Sequence, residues 1–362
     1  MKAPERLHHL DFLRASMMFV GVLVHASHAD YDLGNYEWVR FLSGSFRMAC
    51  FFVISGYFSP ALLERYGALR FLLRRLIILG VPTSFCVFVL NPPAISALLE
   101  YFATAPVPAE AAIDWPLHTW FLVVLIVYTL AVQPLLFVTG TLCRQLARVC
   151  REGWAEAIIM LALMTGASVG FKVVDKWGPR LPGFDHYVML LEPTLEYLPY
   201  FTFGLLMQRS PVVFAFVHSR PKAWGLAATA LLAVRRVLEQ HAITTTSEHL
   251  AHLAVEFTTA FACSFALLSL AQKLIRRPQR WVESLSQSAY TVYVVHYLAI
   301  AQVLVHTQRW GFSLHLRALS AAVIALFFGL SIHVGLVKRV PLVAFLLNGK
   351  APSLSATRPL PG

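Results

Sequence analysis

Runs of about 20 apolar residues, the length that crosses a hydrocarbon core as a helix, recur along the chain between short polar or charged stretches. On that template ten spans are expected, near 7–29, 43–63, 71–90, 117–139, 154–172, 188–208, 223–241, 250–272, 287–306 and 316–337. The seventh is the least regular, because Arg235 and Arg236 cut its apolar part short. The longest outward segments are 91–116, rich in Pro and Ala with only acidic charges, and 172–187, KVVDKWGPRLPGFDHY. In the second, Asp175, Trp177, Arg180 and Asp185 are either contacts for a polar, sugar-like substrate or parts of a solvated loop with an interfacial Trp. The pattern predicts an all-α integral membrane protein, a bundle of about ten transmembrane helices. One transmembrane domain is expected over 1–350, followed by a short cytoplasmic tail at 351–362.

Composition agrees, with 57% hydrophobic and 14% charged residues, whereas a soluble domain carries about 25% charged residues. The net charge of +11 raises the possibility of a nucleic-acid partner. The basic residues argue against it, because they punctuate the apolar spans rather than forming one patch. Positive charge accumulates on cytoplasmic loops, and 20 of the 30 Lys and Arg residues fall on the side of the N-terminus, nine on the opposite side and Arg14 within a span. An N-in, C-in orientation follows. Lys2 and Arg6 ahead of the first apolar run imitate a signal peptide, but Asp11 and Arg14 interrupt the apolar core such a signal needs, so an uncleaved first helix is expected. Cys50, Cys86, Cys143, Cys150 and Cys263 are scattered, with no Cys or His ligand spacing. Neither a disulfide framework nor a metal site is expected.

Ionisable groups within spans are costly and mark functional sites, and the first span holds Asp11, Arg14 and His25. Positions 14 and 25 return to nearly the same helix face and lie ~16 Å apart along it. Asp11, three residues before Arg14, is placed to pair with and orient the guanidinium, and His28 continues the polar stripe outward. A neutral imidazole can remove the proton of a hydroxyl as its oxygen attacks an acyl carbonyl. The alternative for His25 is a packing histidine bonded to a neighbouring helix. Ser55 and Gly56 are read as close-packing residues, since no Gly-x-Ser-x-Gly elbow surrounds them.

Arg14 and His25, ten residues between them and LD before Arg14, resemble the first-helix hallmark of the acyltransferase 3 family of membrane O-acyltransferases. SFRMACFFVISGYF at 45–58 is similar to that family's second helix, and most closely to the branch called glucans biosynthesis protein C. Further similarities to that branch are LHTWFLVVLIVY at 117–128, EYLPYFTFGLL at 196–206, SAYTVYVVHYLA at 288–299 and VPLVAFLLNGKAP at 340–352, in order along the chain. The resemblance implies a bacterial inner-membrane enzyme with acyl-CoA as co-substrate on the cytoplasmic side and a carbohydrate acceptor on the periplasmic side. For the glucan branch it implies succinyl transfer to a periplasmic glucan, with no further cofactor. Tyr297 follows His296 where the branch often shows a second His, so no role is carried over to that position.

The remaining candidates fit this frame. Arg70, Arg74 and Arg75, at the inner end of the third span, either bind CoA phosphates or serve as positive-inside anchors. Arg47, near the outer end of the second span, is expected close to His25, where it holds a carboxylate or an oxyanion; otherwise it snorkels to the interface. His118, Trp120, Tyr293 and His296 either line the site or satisfy interhelical hydrogen bonds. Glu196, and Glu256 with His252 four residues before it, are candidate acidic partners for an imidazole. The expected function is transfer of an acyl group to a glucan, with His25 as base and Arg14, Arg47 or backbone dipoles stabilising charge. Acetyl transfer to another envelope polysaccharide and, in a different class, anion transport are the alternatives. The symmetric halves and broken helices common in transporters are not evident in the sequence.

Overall fold

A computed structural model describes residues 7–29, 34, 36–103, 117–149, 153–177 and 185–350. Arg180 lies outside them, as do Cys150 and the side chains of His28, Asp175, Trp177 and Asp185. Among the described residues the secondary structure is entirely helical. The helices are α1 (His8–Ala26), α2 (Glu37–Tyr66), α3 (Ala68–Phe85), α4 (Asn91–Phe102), α5 (Trp120–Val149), α6 (Gly153–Trp177) and α7 (Asp185–Arg209). They continue as α8 (Pro211–His218), α9 (Pro221–Glu239), α10 (Thr246–Leu274), α11 (Arg280–Arg309), α12 (Leu314–Ile332) and α13 (Pro341–Asn348).

Among the described residues seven helical segments are long and apolar enough to cross a membrane, or eight if α7 and α8, bent by 109° at their junction, count as one broken span. Their number, length and composition are those of a multi-pass membrane protein. The two remaining expected spans correspond to α1 and α9. Neither is apolar enough to be counted, since α1 carries Asp11, Arg14 and three histidines in 19 residues, and α9 carries Lys222, Arg235 and Arg236. The third span is longer than predicted. Helix continues from α3 through a π-helical segment, Cys86–Leu90, into α4, so residues 91–102 are helical where a loop was expected. Pro92 and Pro93 sit directly after the π-helical segment, where the helix resumes as α4. The bend after α7 is capped by Ser210, whose hydroxyl accepts from the Val213 N–H at 3.3 Å. α10 begins with a capping box between Thr245 and Glu248.

The chain forms two compact units. The first comprises Met1–Met17, Tyr36–Leu72 and Val127–Ser286. Its α2 and α7 approach at Gly56 and Gly204: a Cβ on Gly56 would overlap the carbonyl of Phe201, and one on Gly204 the carbonyl of Val53. Small residues permit this approach between apolar helices, where packing rather than water exclusion drives association. Around the contact lies an aromatic core, with Phe52 stacked on Tyr197 at 5.0 Å, Tyr200 against Phe261 at 4.5 Å and Phe203 against Phe265 at 5.0 Å. The reading of Gly56 as a close-packing residue holds.

The second unit comprises Met18–Asn35, Leu73–Ile126 and Gln287–Gly362. It holds both π-helical segments, Cys86–Leu90 and His333–Val337. Gly329 packs against the Cα of Val292, where a Cβ would approach to 2.9 Å. Gly349, at φ +60°, lies against the backbone of Ile77 and Ile78. Its left-handed conformation suits a residue without a Cβ.

Candidate active site

In the second unit three elements bring three imidazoles together. His25 lies at the end of α1, on a helix prolonged by the 3₁₀ turn Ser27–Ala29, and that turn is fixed by Tyr101 of α4, whose hydroxyl donates to the Ala29 carbonyl at 2.8 Å. His118 lies in the 3₁₀ turn Leu117–Thr119 that opens α5, and His296 in the middle of α11. Ring centroids are 5.2 Å apart for His25 and His296, 4.9 Å for His118 and His296, and 6.4 Å for His25 and His118. Tyr297 closes the group, 5.1 Å from His25 and stacked on His118 at 5.0 Å with only 9° between the planes.

Burial separates the roles open to these rings. His118 and His296 are buried, at 4% and 1% exposed, while His25 and Tyr297 are only partly so. The Nδ1 of His296 is 2.6 Å from the Tyr293 carbonyl. A carbonyl can only accept, so Nδ1 carries the proton and the lone pair is on Nε2. Tyr293, also buried, donates its hydroxyl to the main-chain carbonyl of His118, so α11 holds the 3₁₀ turn directly. The turn needs holding. Leu117 has φ +45°, the left-handed region, and is the only non-glycine residue with positive φ among the described residues. Strain of this kind persists where its surroundings over-determine it, and it clusters at functional sites. Trp120 begins α5 three residues after Leu117, half-buried with its ring 6.5 Å from that of Phe121, which itself packs on Tyr293 at 4.7 Å.

The first unit carries a separate set of charges. Asp11 pairs with Arg14 at 3.4 Å, with the two side chains 13% and 39% exposed. Arg47 is half-buried on α2 and shares the surroundings of Tyr197 with Glu196 and Glu256. The carboxylates expected as imidazole partners are engaged by cations. Glu196 meets Lys172 at 2.7 Å, and Glu256 accepts from Arg235 at 3.1 Å. Arg235 also donates to Ser45 at 3.0 Å and to Glu239 at 3.0 Å, and its guanidinium lies over the Phe41 ring. Of the three α3 arginines, Arg70 belongs to the first unit and is exposed; Arg74 and Arg75 belong to the second, exposed and half-buried respectively.

Tyr297 and Arg235, to which the sequence assigned no role, have partners in the structure. Tyr297 follows His296 and lies one helical turn after Tyr293, a spacing that places it beside both. Arg235 is a charge within an apolar run, a signal that the residue has partners on other helices.

Apolar helices long enough to span a membrane, with histidines and tyrosines gathered among them, are the features of a membrane-embedded protein with a polar site. The model of an acyltransferase domain matches residues 7–334, and the chain belongs to the acyltransferase 3 family. It is therefore an acyltransferase, and the transporter alternative falls away. Glucans biosynthesis protein C of Shigella dysenteriae serotype 1 (strain Sd197) is 25% identical over 386 residues, covering 96% of this chain and 95% of that protein. Proteins of the same name from Escherichia coli O9:H4 (strain HS) and Escherichia coli (strain K12 / DH10B) are likewise 25% identical over 96% of this chain. No solved structure matches the chain.

Proposed function

We propose that this acyltransferase moves a succinyl group from cytoplasmic acyl-CoA to hydroxyl groups of a periplasmic glucan, with no cofactor beyond that co-substrate. Support for donor and acceptor comes from the family and from the name borne by its relatives. In this reading the chain lies in the bacterial inner membrane with both termini cytoplasmic, as the distribution of Lys and Arg favours, and α1 and α9 complete ten crossings.

The observation that carries the chemistry is the convergence of His25, His118 and His296 in the second unit. His25, the most exposed of the three, takes the proton of the acceptor hydroxyl as its oxygen attacks the thioester carbonyl. The carbon–sulfur bond then breaks, and the departing CoA thiolate takes up a proton as it leaves. His118, His296 and Tyr297 orient the His25 ring, and Tyr293 keeps His118 in register. Arg14, eleven residues before His25 on the same helix and held by Asp11, is assigned to the donor on the cytoplasmic side.

Purified protein in liposomes, supplied with succinyl-CoA and a glucan, tests the reading through CoA release and the mass of the glucan. His25→Ala should lower transfer by ~10²–10⁴-fold, the usual contribution of a positioned base, with membrane insertion intact. Near wild-type transfer by a well-inserted His25→Ala protein would remove the base assignment. Transfer of acetyl in place of succinyl, or to a different polysaccharide, would favour the alternative of an envelope acetyltransferase.

A further inference from the structure

Asn348 at the end of α13 and the second π-helical segment play no part in the chemistry above, yet they meet in the second unit. Thr291 of α11 lies 2.9 Å, Oγ1 to Nδ1, from His333 and donates to the Asn348 side-chain oxygen at 3.1 Å. All three are buried, at 0%, 3% and 5% exposed. His333 opens the π-helical segment His333–Val337, and π segments inside helices recur at functional sites. Its Nε2 is buried with no hydrogen-bond partner among the described residues. Such a group is costly to leave unmade, so a partner that arrives with a ligand is the natural complement.

The surroundings indicate what that ligand is. Lys338 follows His333 by five residues and Lys350 follows Asn348 by two, and both are exposed. Gly349 packs on Ile77 and Ile78 of α3, and Tyr290, next to Thr291, donates to the Ile78 carbonyl at 3.0 Å. Ile78 lies one turn beyond Arg74 and Arg75, and Arg75 is among the charges acting on Tyr290. Exposed lysines therefore flank a buried hydrogen-bonding trio. Thr291 precedes His296 by five residues on α11, a rise of ~7.5 Å, so the trio and the histidine cluster share that helix within about one and a half turns.

We propose that Thr291, His333 and Asn348 form the subsite for the amide-bearing arm of the acyl-CoA donor, with Lys338 and Lys350 at its entrance taking the phosphates. This rests on the donor assignment above and adds the residues that recognise it. Amide groups fit a hydrogen-bonding trio, since each supplies both a donor and an acceptor, while phosphates fit the ammonium groups.

The test is CoA binding to the purified full-length protein in detergent, followed by titration calorimetry alongside thermal unfolding. His333→Leu should weaken CoA ~3–10-fold, the loss of one net hydrogen bond. Lys338→Ala and Lys350→Ala, at exposed positions, should weaken it and flatten its salt dependence. Unchanged CoA affinity in a His333→Leu protein of lowered melting temperature would make the trio a staple for α13 and overturn the proposal. Should His333→Leu not accumulate, Asn348→Ala and the two lysine variants decide, and wild-type affinity in all of them is equally fatal. If the wild-type chain itself does not bind CoA, the donor assignment fails, a different result from binding that ignores the trio.

Discussion

Arg235 is the residue whose removal should show most clearly what holds the first unit together. Its guanidinium donates to Ser45, Glu239 and Glu256 at 3.0, 3.0 and 3.1 Å, and its side chain is 12% exposed. Arg235→Met keeps much of the volume and the contact with Phe41 while removing all three bonds. Breaking a buried pair from one side costs about 3–5 kcal/mol, because the other charge stays behind unpaired. Here the carboxylates are 35% and 27% exposed, so water replaces part of what is lost. A cost of about 2–3 kcal/mol is expected after that screening. Joint Arg235→Met/Glu256→Gln should be milder than the sum of its parts by about 1–2 kcal/mol, since neither charge is then stranded. Thermal unfolding of the purified variants in detergent measures both quantities. Strict additivity of the two substitutions would show that Arg235 and Glu256 are neighbours without energetic coupling, and the hub would lose its meaning.

Further outcomes follow from other parts of the molecule. Arg14→Lys should cut acyl transfer by ~10-fold or more if the guanidinium grips the donor as a fork, because Lys keeps the charge but not the paired geometry. If activity returns when Asp11→Ala is combined with Arg14→Ala, Arg14 merely neutralises its neighbour. Gly56→Ala should destabilise the protein by about 1–3 kcal/mol, the cost of overpacking, since its methyl would meet the Phe201 carbonyl; an unchanged melting temperature would contradict the α2–α7 approach. Reporter fusions at residues 2 and 358 should both report cytoplasm and one at 105 the outside, and an inside signal at 105 would undo the ten-span topology.

The sequence made the helical, membrane-spanning character plain because runs of apolar residues are a one-dimensional signal. It was least informative where polar groups interrupt such runs. α1 and α9 were counted as spans from their apolar stretches, and in the structure the polar residues that make them interesting also keep them below the composition of an ordinary span. Residues 91–102 were read as part of an outward segment rich in Pro and Ala, and in the structure the helix carries on through them after the π-helical segment Cys86–Leu90. His25, His118, Tyr293 and His296 were each visible as polar groups in apolar surroundings, but their mutual distances depend on how three elements pack. Glu196 and Glu256 show the same limit from the other side. A carboxylate's partner is set by what the fold brings near, and Lys172 and Arg235 are distant in sequence from the imidazoles considered for it.

The irregular backbone of the second unit coincides with its polar chemistry, and α11 connects the two. Regular helices satisfy their own main-chain groups and leave side chains only the surface to work with. A strained turn or a π segment moves side chains to places a straight helix does not reach, at a cost that must be met by its neighbours. Residues 290–297 of α11 meet that cost at three points. Tyr293 donates to the carbonyl of His118, next to the left-handed Leu117. Thr291 bonds the side chain of His333 at the head of one π segment. The Val294 carbonyl accepts from the thiol of Cys86, the first residue of the other, at 3.5 Å. One stretch of two helical turns thus supplies His296 and Tyr297 to the imidazole cluster and also anchors the Leu117–Thr119 turn and both π-helical segments named above. The positions of these side chains are therefore coupled: a change that loosens α11 between Thr291 and Tyr297 disturbs His118 and His333 together, although the two lie on elements more than 200 residues apart in the chain.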